Sequence, residues 1–233
     1  MENKQAERIQ TSILNAAEKK ALVWLAERQP KWVTSDFLTF IGFLGAVIIA
    51  VGYGLSGISI NFLWLASFGF LVNWYGDSMD GTLARVRHQQ RPKYGFFIDH
   101  NIDCINEAIM FIGAGLSPLL NLNIAFLVLT AYLILSISVY INTHLKNEFR
   151  LTYGKMGPTE LRIIIVIVNT LFIFFAPLRE FAWHLSIGSW SLTLSLLDII
   201  ALVIFALLML FYFISLVRDG KQYAAMEPLK KDE

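Results

Sequence analysis

Six long apolar segments divide this chain of 233 residues, and they constrain its fold more than any other feature. Each segment is close to the roughly 20 residues that an α-helix needs to cross a bilayer. Charged residues make up only 16% of the chain, against about 25% in a typical soluble domain. We therefore predict an all-α integral membrane protein with six transmembrane helices. Their expected bounds are Phe37–Leu55, Ile60–Arg85, Gly95–Leu119, Asn123–His144, Pro158–Pro177 and Leu192–Val217.

The basic residues lie almost entirely on one side of this layout. Lysine and arginine accumulate in the cytoplasmic loops of membrane proteins. With six spans, the two terminal segments share a side with the second-to-third and fourth-to-fifth connections, and together they hold 18 of the 19 basic residues. Only Arg179 lies on the other side. We predict that both termini are cytoplasmic, in an inner or cell membrane of bacterial type.

A polar segment precedes the first span. Between Ala6 and Arg28, apolar residues recur at helical spacing, and Pro30 would end such a helix. We expect this amphipathic helix to lie on the cytoplasmic membrane surface; the alternative is a helix packed on the body of the protein. The expected regions are a helix at 1–32, a six-helix membrane domain at 33–220 and a tail at 221–233. The apolar positions are Ile9, Ile13, Ala17, Ala21 and Leu25.

Two pairs of aspartates stand where the second span ends and the third begins. Asp77 and Asp80 are three residues apart, and Asp99 and Asp103 are four apart. Both spacings place the two members of a pair on one face of a helix. A short loop joins the two helices, so we expect the four carboxylates to converge at one depth, just inside the cytoplasmic boundary.

The expected convergence points to bound cations. Four carboxylates in a low-dielectric setting repel one another strongly unless cations or protons neutralise them. Mg²⁺ and Mn²⁺ suit sites made of carboxylate oxygens, and two such ions can hold a diphosphate during phosphoryl transfer. One carboxylate could serve as the base for an attacking hydroxyl. The single cysteine, Cys104, excludes an intrachain disulfide and a cysteine-rich zinc site.

Small and basic residues stand beside the aspartates. Gly81 and Gly95 would let a ligand approach the backbone, and Ala84 is also small. Arg85 offers a planar, permanently charged partner for phosphate. The alternatives are close helix packing for the glycines and interfacial anchoring for Arg85.

These two segments resemble the signature of the CDP-alcohol phosphotransferases. That signature is D-x-x-D-G-x-x-A-R followed by G-x-x-x-D-x-x-x-D, and each of its fixed positions is present in this chain. The segment Val86–Tyr94 between the two halves is longer than is usual in the family, a difference that falls in a loop. The matching positions are Asp77, Asp80, Gly81, Ala84, Arg85, Gly95, Asp99 and Asp103.

The resemblance implies a reaction and a role for each motif residue. Two divalent ions, Mg²⁺ or Mn²⁺, would be bound by the four aspartates, and Asp103 would also be the general base for the acceptor hydroxyl. CMP would be released from a CDP-linked donor, either a lipid or an aminoalcohol. The resemblance also implies a homodimer among membrane lipids, and no nucleic-acid partner is expected. The CDP pocket would be lined by Gly81, Ala84, Arg85 and Gly95, with a weaker carry-over to Thr39.

Three further residues are candidates for binding the acceptor. The pattern around His100 is similar to that of choline and ethanolamine phosphotransferases, although His100 is offset by about 100° from Asp99 on a helix. Glu107 extends the acidic face by one turn and would suit a cationic headgroup, with Trp74 or Tyr75 as a cation–π partner; the alternative is a structural hydrogen bond within the bundle. Arg162 could bind a phosphate on the acceptor or simply belong to the cytoplasmic basic residues.

Two other functions compete with the transferase. Intramembrane carboxylates could bind ions in a cation transporter, but transporter sites tend to lie near the bilayer midplane, often between inverted repeats. Here the carboxylates lie at one boundary, and the sequence contains no evident repeat. The third hypothesis is an inactive structural membrane protein, against which the complete set of aspartates argues. The sequence leaves both donor and acceptor open.

Overall fold

The computed structural model describes residues 7–9, 14–146, 148–150, 157–187 and 190–228. Ile13, part of the predicted amphipathic helix, and Lys155, one of the predicted cytoplasmic basic residues, lie outside this part of the chain. Of the predicted tail at 221–233, residues 221–228 are described, and helix continues through them as far as Met226.

The described chain is mostly helical, and its long helices lie where the apolar segments predict them. A short 3-10 helix spans Ile60–Phe62, and a single helical turn spans Ala176–Arg179. Pro92 and Pro158 each stand in the first turn of a long helix, where a missing backbone N–H costs nothing. The helices are α1 (Asn15–Glu27), α2 (Ser35–Leu55), α3 (Leu63–Val86), α4 (Pro92–Gly115), α5 (Leu122–Lys146), α6 (Pro158–Phe174), α7 (Ala176–Arg179) and α8 (Leu196–Met226).

Three of the described helices are long and apolar enough to cross a membrane. They are Ser35–Leu55, Leu122–Leu145 and Leu196–Met226, with mean hydropathies of 2.2, 2.4 and 2.9. Helices α3 and α4 are of similar length but carry the aspartate pairs, which lower their hydropathy. Helix α6 has only 17 residues. The described residues therefore contain three candidate membrane spans, and the count of six crossings stays a prediction.

Two short strand pairs correct the prediction of an all-α chain. Strands β3 (Ala182–Ile187) and β4 (Trp190–Ser195) form an antiparallel hairpin between α7 and α8. The expected sixth span was to begin at Leu192, but this residue lies in β4 because the Ser and Thr residues there alternate with apolar ones. Strands β1 (Glu7–Ile9) and β2 (Glu148–Arg150) pair in parallel. The predicted helix therefore does not extend back to Ile9.

Of the predicted apolar positions that the structure describes on α1, only Leu25 packs on the core of the bundle. Leu22 and Ala26 are its buried residues, and they belong to a core cluster with Leu38, Met79 and Leu83. The predicted apolar positions Ala17 and Ala21 are not among the buried residues of the helix. The face is set by polar contacts: the carboxylate of Glu18 accepts hydrogen bonds from Trp74 Nε1 (2.7 Å) and Thr159 Oγ1 (2.8 Å). A position on the membrane surface remains a prediction.

Small residues bring α2 and α3 into close contact. If Gly76 were replaced by alanine, the new Cβ would lie 2.5 Å from Leu38 O and 2.6 Å from Gly42 Cα. One turn further along the crossing, Gly45 faces the backbone of Asn73 in the same manner. Such small residues let helix backbones approach within a membrane. The crossing places the start of α2 against the acidic end of α3.

Candidate active site

A cavity lies between the first half of α2, the end of α3 and the first half of α4. All four aspartates of the two pairs line it. Asp77, Asp99 and Asp103 each offer a carboxylate oxygen, and these atoms lie within 4.8 Å of one another. The expected convergence of two helices is therefore present, with Asp80 in the same cavity but outside this tight group. The cavity is lined by Thr39, Gly42, Asp77, Asp80, Asp99, Ile102, Asp103 and Asn106.

The donor set fits a hard divalent cation. Oxygens of three carboxylates within 4.8 Å of one another are spaced as ligands around one ion would be. Such ions prefer oxygen donors, and no sulfur or imidazole is among the residues that line the cavity. The predicted aspartate cluster could thus bind metal, although the identity and number of the ions stay predictions.

Asp80 is held by α2 and by its own helix turn. Its Oδ2 accepts a hydrogen bond from Thr39 Oγ1 at 2.7 Å, and its Oδ1 accepts one from the backbone N–H of Gly81. Ser35 Oγ donates to the backbone carbonyl of Asp80 at 2.9 Å. These contacts turn the carboxylate towards α2, which explains its separation from the other three. Thr39, which the sequence suggested only weakly, therefore lies in the cavity wall.

Arg162 reaches the cluster from α6. Its guanidinium donates to Asp77 Oδ2 at 2.7 Å and to Asn73 Oδ1 at 3.0 Å. The Arg162 side chain is 19% exposed, so this ion pair is largely sheltered from solvent. The predicted acceptor-binding residue therefore lies at the cluster and offsets part of its negative charge. Its binding of an acceptor stays a prediction.

The two signature glycines do not form close helix crossings. A Cβ on Gly81 would first meet the side chain of Arg85, at 3.4 Å, and a Cβ on Gly95 would have no described atom within 4 Å. Close packing therefore does not explain these glycines, in contrast to Gly76 at the crossing of α2 and α3. Arg85 donates to Thr82 Oγ1 at 2.9 Å and folds back along α3. The space beside both glycines, and beside the partly exposed Ala84, is compatible with a ligand.

His100 and Glu107 contact α5, although His100 Nδ1 also lies 3.8 Å from Asp99 Oδ2. The His100 ring stacks on Phe96 and meets Tyr140 edge-on, with centroids 4.0 and 4.8 Å apart. Glu107 is hydrogen-bonded to the side chain of Tyr132. Neither residue is among those that line the cavity. Their assignment to the acceptor stays a prediction.

Trp74 and Tyr75, the predicted cation–π partners of a cationic headgroup, pack against the core cluster that contains Leu22 and Ala26 of α1. Trp74 donates to Glu18, and Tyr75 OH accepts a hydrogen bond from Gln29 Nε2 at 2.6 Å. Both rings thus face α1 at the other side of α3. The two residues are close to the acidic cluster along the chain, but the rotation of α3 about its axis turns them away. Their contact with a headgroup stays a prediction, and the side chain that hydrogen-bonds to Glu107 is that of Tyr132 on α5.

The loop between α3 and α4 is fixed by arginines outside the apolar segments. Arg87 donates to the backbone carbonyls of Gln29, Pro30 and Val33, and so ties this loop to the segment before α2. Arg91 pairs with Asp36 at 2.8 Å. The hydrogen bond to Asp36 raises the pKa of the Arg91 guanidinium, which is charged in any case. This loop joins the end of α3 to the start of α4, the two helices that carry the aspartates.

Two polar residues of the site were not predicted from sequence. Asn73 accepts from Arg162, and its Nδ2 donates to Gly42 O at 3.0 Å. Asn106 lines the cavity one turn beyond Asp103. The helical period offered a signal for both, because Asn73 precedes Asp77 by four residues and Asn106 follows Asp103 by three.

Comparison with known sequences decides the family. A family model for CDP-alcohol phosphatidyltransferases matches residues 32–195, more than half of the chain. The chain belongs to this family. The resemblance inferred from the aspartate signature is thereby confirmed, and so is the prediction of a phosphotransferase.

Several named phosphotransferases are similar to this family member. The archaetidylinositol phosphate synthase of Pyrococcus horikoshii is 31% identical over 140 residues, which cover 60% of this chain and 70% of the synthase. The phosphatidylinositol phosphate synthase of Cutibacterium acnes is 35% identical over 86 residues, 36% of this chain and 38% of that enzyme. Cholinephosphotransferase 1 of Bos taurus is 23% identical over 188 residues, 77% of this chain and 45% of that enzyme.

These relatives bear on the competing hypotheses. The chain spans less than half the length of the last two enzymes, so their activities do not transfer to it as a whole. All three are named as synthases or phosphotransferases, and the transporter alternative finds no support among them. Their names also differ in the alcohol they use, so the family places this protein in phospholipid synthesis without fixing its substrates.

Proposed function

We propose that this protein transfers a phospho-alcohol group from a CDP-linked donor to a hydroxyl acceptor and releases CMP. The observation that carries this proposal is the meeting of Asp77, Asp99 and Asp103, with oxygens within 4.8 Å, in a cavity that Asp80 also lines. A purely structural protein has no need for carboxylates gathered in this way, because their mutual repulsion destabilises the fold. Membership of the family supplies the reaction class.

Bond changes in the proposed reaction are those of a phosphoryl transfer. The acceptor oxygen forms a bond to the phosphorus that carries the donor's alcohol group, the bond from that phosphorus to the CMP oxygen breaks, and CMP leaves. Divalent ions, when bound, would neutralise negative charge on the diphosphate. Asp103 would take the proton of the acceptor hydroxyl, a role that the family signature implies and that its position in the cavity wall allows.

The other residues would bind and orient. Thr39 fixes the carboxylate of Asp80 through its 2.7 Å hydrogen bond. The open space beside Gly81 and Gly95 would admit the cytidine diphosphate, with Arg85 able to leave Thr82 and reach a phosphate. Arg162, which already contacts Asp77, would attract an anionic acceptor.

Arg162 and the relatives together favour a phosphorylated acceptor for testing first. Two of the similar enzymes are named as inositol phosphate lipid synthases, and Arg162 is a cation beside the cluster. His100 and the similarity to cholinephosphotransferase 1 keep the aminoalcohol donors in the test. Both classes would use the same aspartates.

The membrane arrangement is part of the proposal. We infer six crossings with both termini and the active site in the cytoplasm, because the basic residues of the chain fall on that side of such a layout. Side chains such as Phe213 and Val203 on α8 are more than half exposed in the single chain, as lipid-facing residues would be. By resemblance alone we also expect a homodimer in the membrane.

CMP release from the purified full chain tests the function. CDP-diacylglycerol, CDP-choline and CDP-ethanolamine would each be supplied in detergent with inositol phosphate, glycerol phosphate and diacylglycerol as acceptors. Each pair would be assayed with Mg²⁺ or Mn²⁺ and again with a chelator. We expect release with one donor–acceptor pair, dependent on metal, and its loss in Asp103→Asn.

A matched control separates chemistry from folding. Asp198 is also a buried aspartate, but it caps α8 by accepting hydrogen bonds from the backbone N–H groups of Asn121 (2.7 Å) and Ser195 (2.9 Å). Asp198→Asn keeps one acceptor oxygen and should retain metal-dependent release. The proposed function is refuted if folded wild-type protein releases no CMP with any pair, or if Asp103→Asn is as active as Asp198→Asn.

A further inference from the structure

Asn106 stands in the wall of the aspartate cavity and is almost completely buried. It follows Asp103 by three residues on α4, so it continues the face that carries Asp99 and Asp103. Only 4% of the residue is exposed. The cavity that it lines is the one lined by all four aspartates.

The Oδ1 atom of Asn106 is buried without a hydrogen-bond partner. Among the side chains that the structure describes, it is the one buried polar atom in this condition. Two other buried asparagines are satisfied: Asn73 accepts from Arg162, and Asn169 accepts from Tyr53 OH at 2.9 Å. A buried amide oxygen without a donor costs free energy, and native proteins leave few of them. An explanation is therefore needed for Asn106 in particular.

The surroundings offer this oxygen few donors from the protein. The cavity wall around it consists largely of carboxylates, which only accept hydrogen bonds when ionised, together with Ile102 and Gly42. The one hydroxyl in the wall, that of Thr39, already donates to Asp80. A carboxylate cluster does, however, attract cations. Amide oxygens of asparagine join carboxylates as ligands of hard divalent cations. A cation would therefore be a partner both for the Asn106 oxygen and for the neighbouring carboxylates.

We propose that the Oδ1 atom of Asn106 is a further, neutral ligand for a divalent cation held by Asp77, Asp99 and Asp103, an inference that rests on the proposed function. A neutral oxygen adds a ligand without adding a negative charge to a site that already contains four carboxylates. This role also accounts for burial, because an asparagine turned towards solvent could not reach the cavity. The residue lies outside the family signature on which the sequence predictions rest.

Direct Mn²⁺ binding tests the role without any substrate. The full chain would be purified in detergent, freed of metal with a chelator, and titrated with Mn²⁺ while free Mn²⁺ is followed by electron paramagnetic resonance. We expect Asn106→Leu to raise the Kd for Mn²⁺ about tenfold or more, in the range seen when groups that support a metal site are lost. Asn106→Asp keeps an oxygen ligand and should bind Mn²⁺ at least as tightly as the wild type.

The melting temperature is a second measurement, and it distinguishes a metal ligand from a structural asparagine. Asn106→Leu removes the unsatisfied oxygen, so the metal-free variant should melt no lower than the metal-free wild type. The rise in melting temperature on addition of Mn²⁺ should shrink in the same variant. A merely structural asparagine would give a lower melting temperature without metal and an unchanged Kd.

Asn169→Leu is the matched control. Asn169 is equally buried, but its amide is satisfied by Tyr53 and Ser67, and it does not line the cavity. This change should lower the melting temperature and leave the Mn²⁺ Kd unchanged. Asn106→Ala replaces the leucine variant if the latter does not fold.

The outcomes separate this inference from the proposed function. A wild-type Kd in a folded Asn106→Leu or Asn106→Ala variant overturns the role of Asn106, as does a wild-type protein that binds no Mn²⁺. CMP release with an unchanged Kd would leave the proposed function standing and refute this ligand. Weakened Mn²⁺ binding by the variant, with no CMP release from any donor, would support the ligand and refute the reaction.

Discussion

The crossing of α2 and α3 should tolerate no side chain at Gly76. In Gly76→Ala the new Cβ would lie 2.5 Å from Leu38 O and 2.6 Å from Gly42 Cα, whereas carbon atoms pack best at about 3.5–4.0 Å. The two helices would have to separate by about 1 Å, because the obstructing atoms belong to the backbone and no rotamer change can remove them. Overpacking costs about 1–3 kcal/mol, and we expect the upper end here.

The same displacement should reach the site. Thr39 follows Leu38 on α2, and Asp77 follows Gly76 on α3, so the separation acts where Thr39 Oγ1 and Asp80 Oδ2 are 2.7 Å apart. A destabilisation of about 3 kcal/mol lowers the melting temperature of a chain of this size by roughly 6–12 °C. A displacement of about 1 Å at a catalytic group can reduce activity about 100-fold. We expect both effects in Gly76→Ala, measured by thermal unfolding in detergent and by kcat/KM for CMP release.

Gly54 provides the control on α2. A Cβ added there has no described atom within 4 Å, and alanine is favoured over glycine in a helix by up to about 1 kcal/mol. Gly54→Ala should therefore unfold at the wild-type temperature or slightly above and keep its activity. Wild-type stability and kcat/KM in Gly76→Ala would refute the close crossing and its connection to the site.

Two further substitutions test single contacts. Thr39→Val removes the hydroxyl that donates to Asp80 and should lower kcat/KM roughly tenfold or more, since hydrogen bonds to charged groups contribute about 1.5–3 kcal/mol. Thr39→Ser keeps a hydroxyl and should retain most of the wild-type kcat/KM. An equal loss in both variants would contradict the role of the hydroxyl. Glu18→Ala leaves the partly buried Trp74 Nε1 without its acceptor. This change should expose α1 to protease and lower the melting temperature by a few degrees, at about 1 kcal/mol for the lost hydrogen bond. Glu27→Ala, at a side chain 58% exposed, should change neither property, and equal effects of the two glutamate variants would show that Glu18 does not fix α1.

Much of the helical framework was predictable from local pattern. Apolar runs between polar connections placed most ends of the long helices to within a few residues, and proline stands at the start of α4 and α6. Helix α8 is the exception, because it continues to Met226, past the predicted end at Val217. The hairpin of β3 and β4 was missed because its alternation of Ser and Thr with apolar residues merges with the long apolar segment of α8. Of the docking face of α1 only Leu25 was predicted, since the face depends on where Glu18 finds donors on α3 and α6.

The sequence by itself determined the chemistry of this protein: four aspartates at helical spacings, in an apolar chain, with the signature of one family. Spacing along a helix depends only on the helical period, so both pairs could be assigned to a face without a structure. Only the tertiary structure decided which atoms meet between helices. The turn of Asp80 towards Thr39, the ion pair of Arg162 with Asp77 and the unsatisfied oxygen of Asn106 depend on the rotation and depth of each helix. The rotation and depth of the helices are set by long-range packing, above all at the glycine crossing of α2 and α3, and no local sequence pattern specifies this packing.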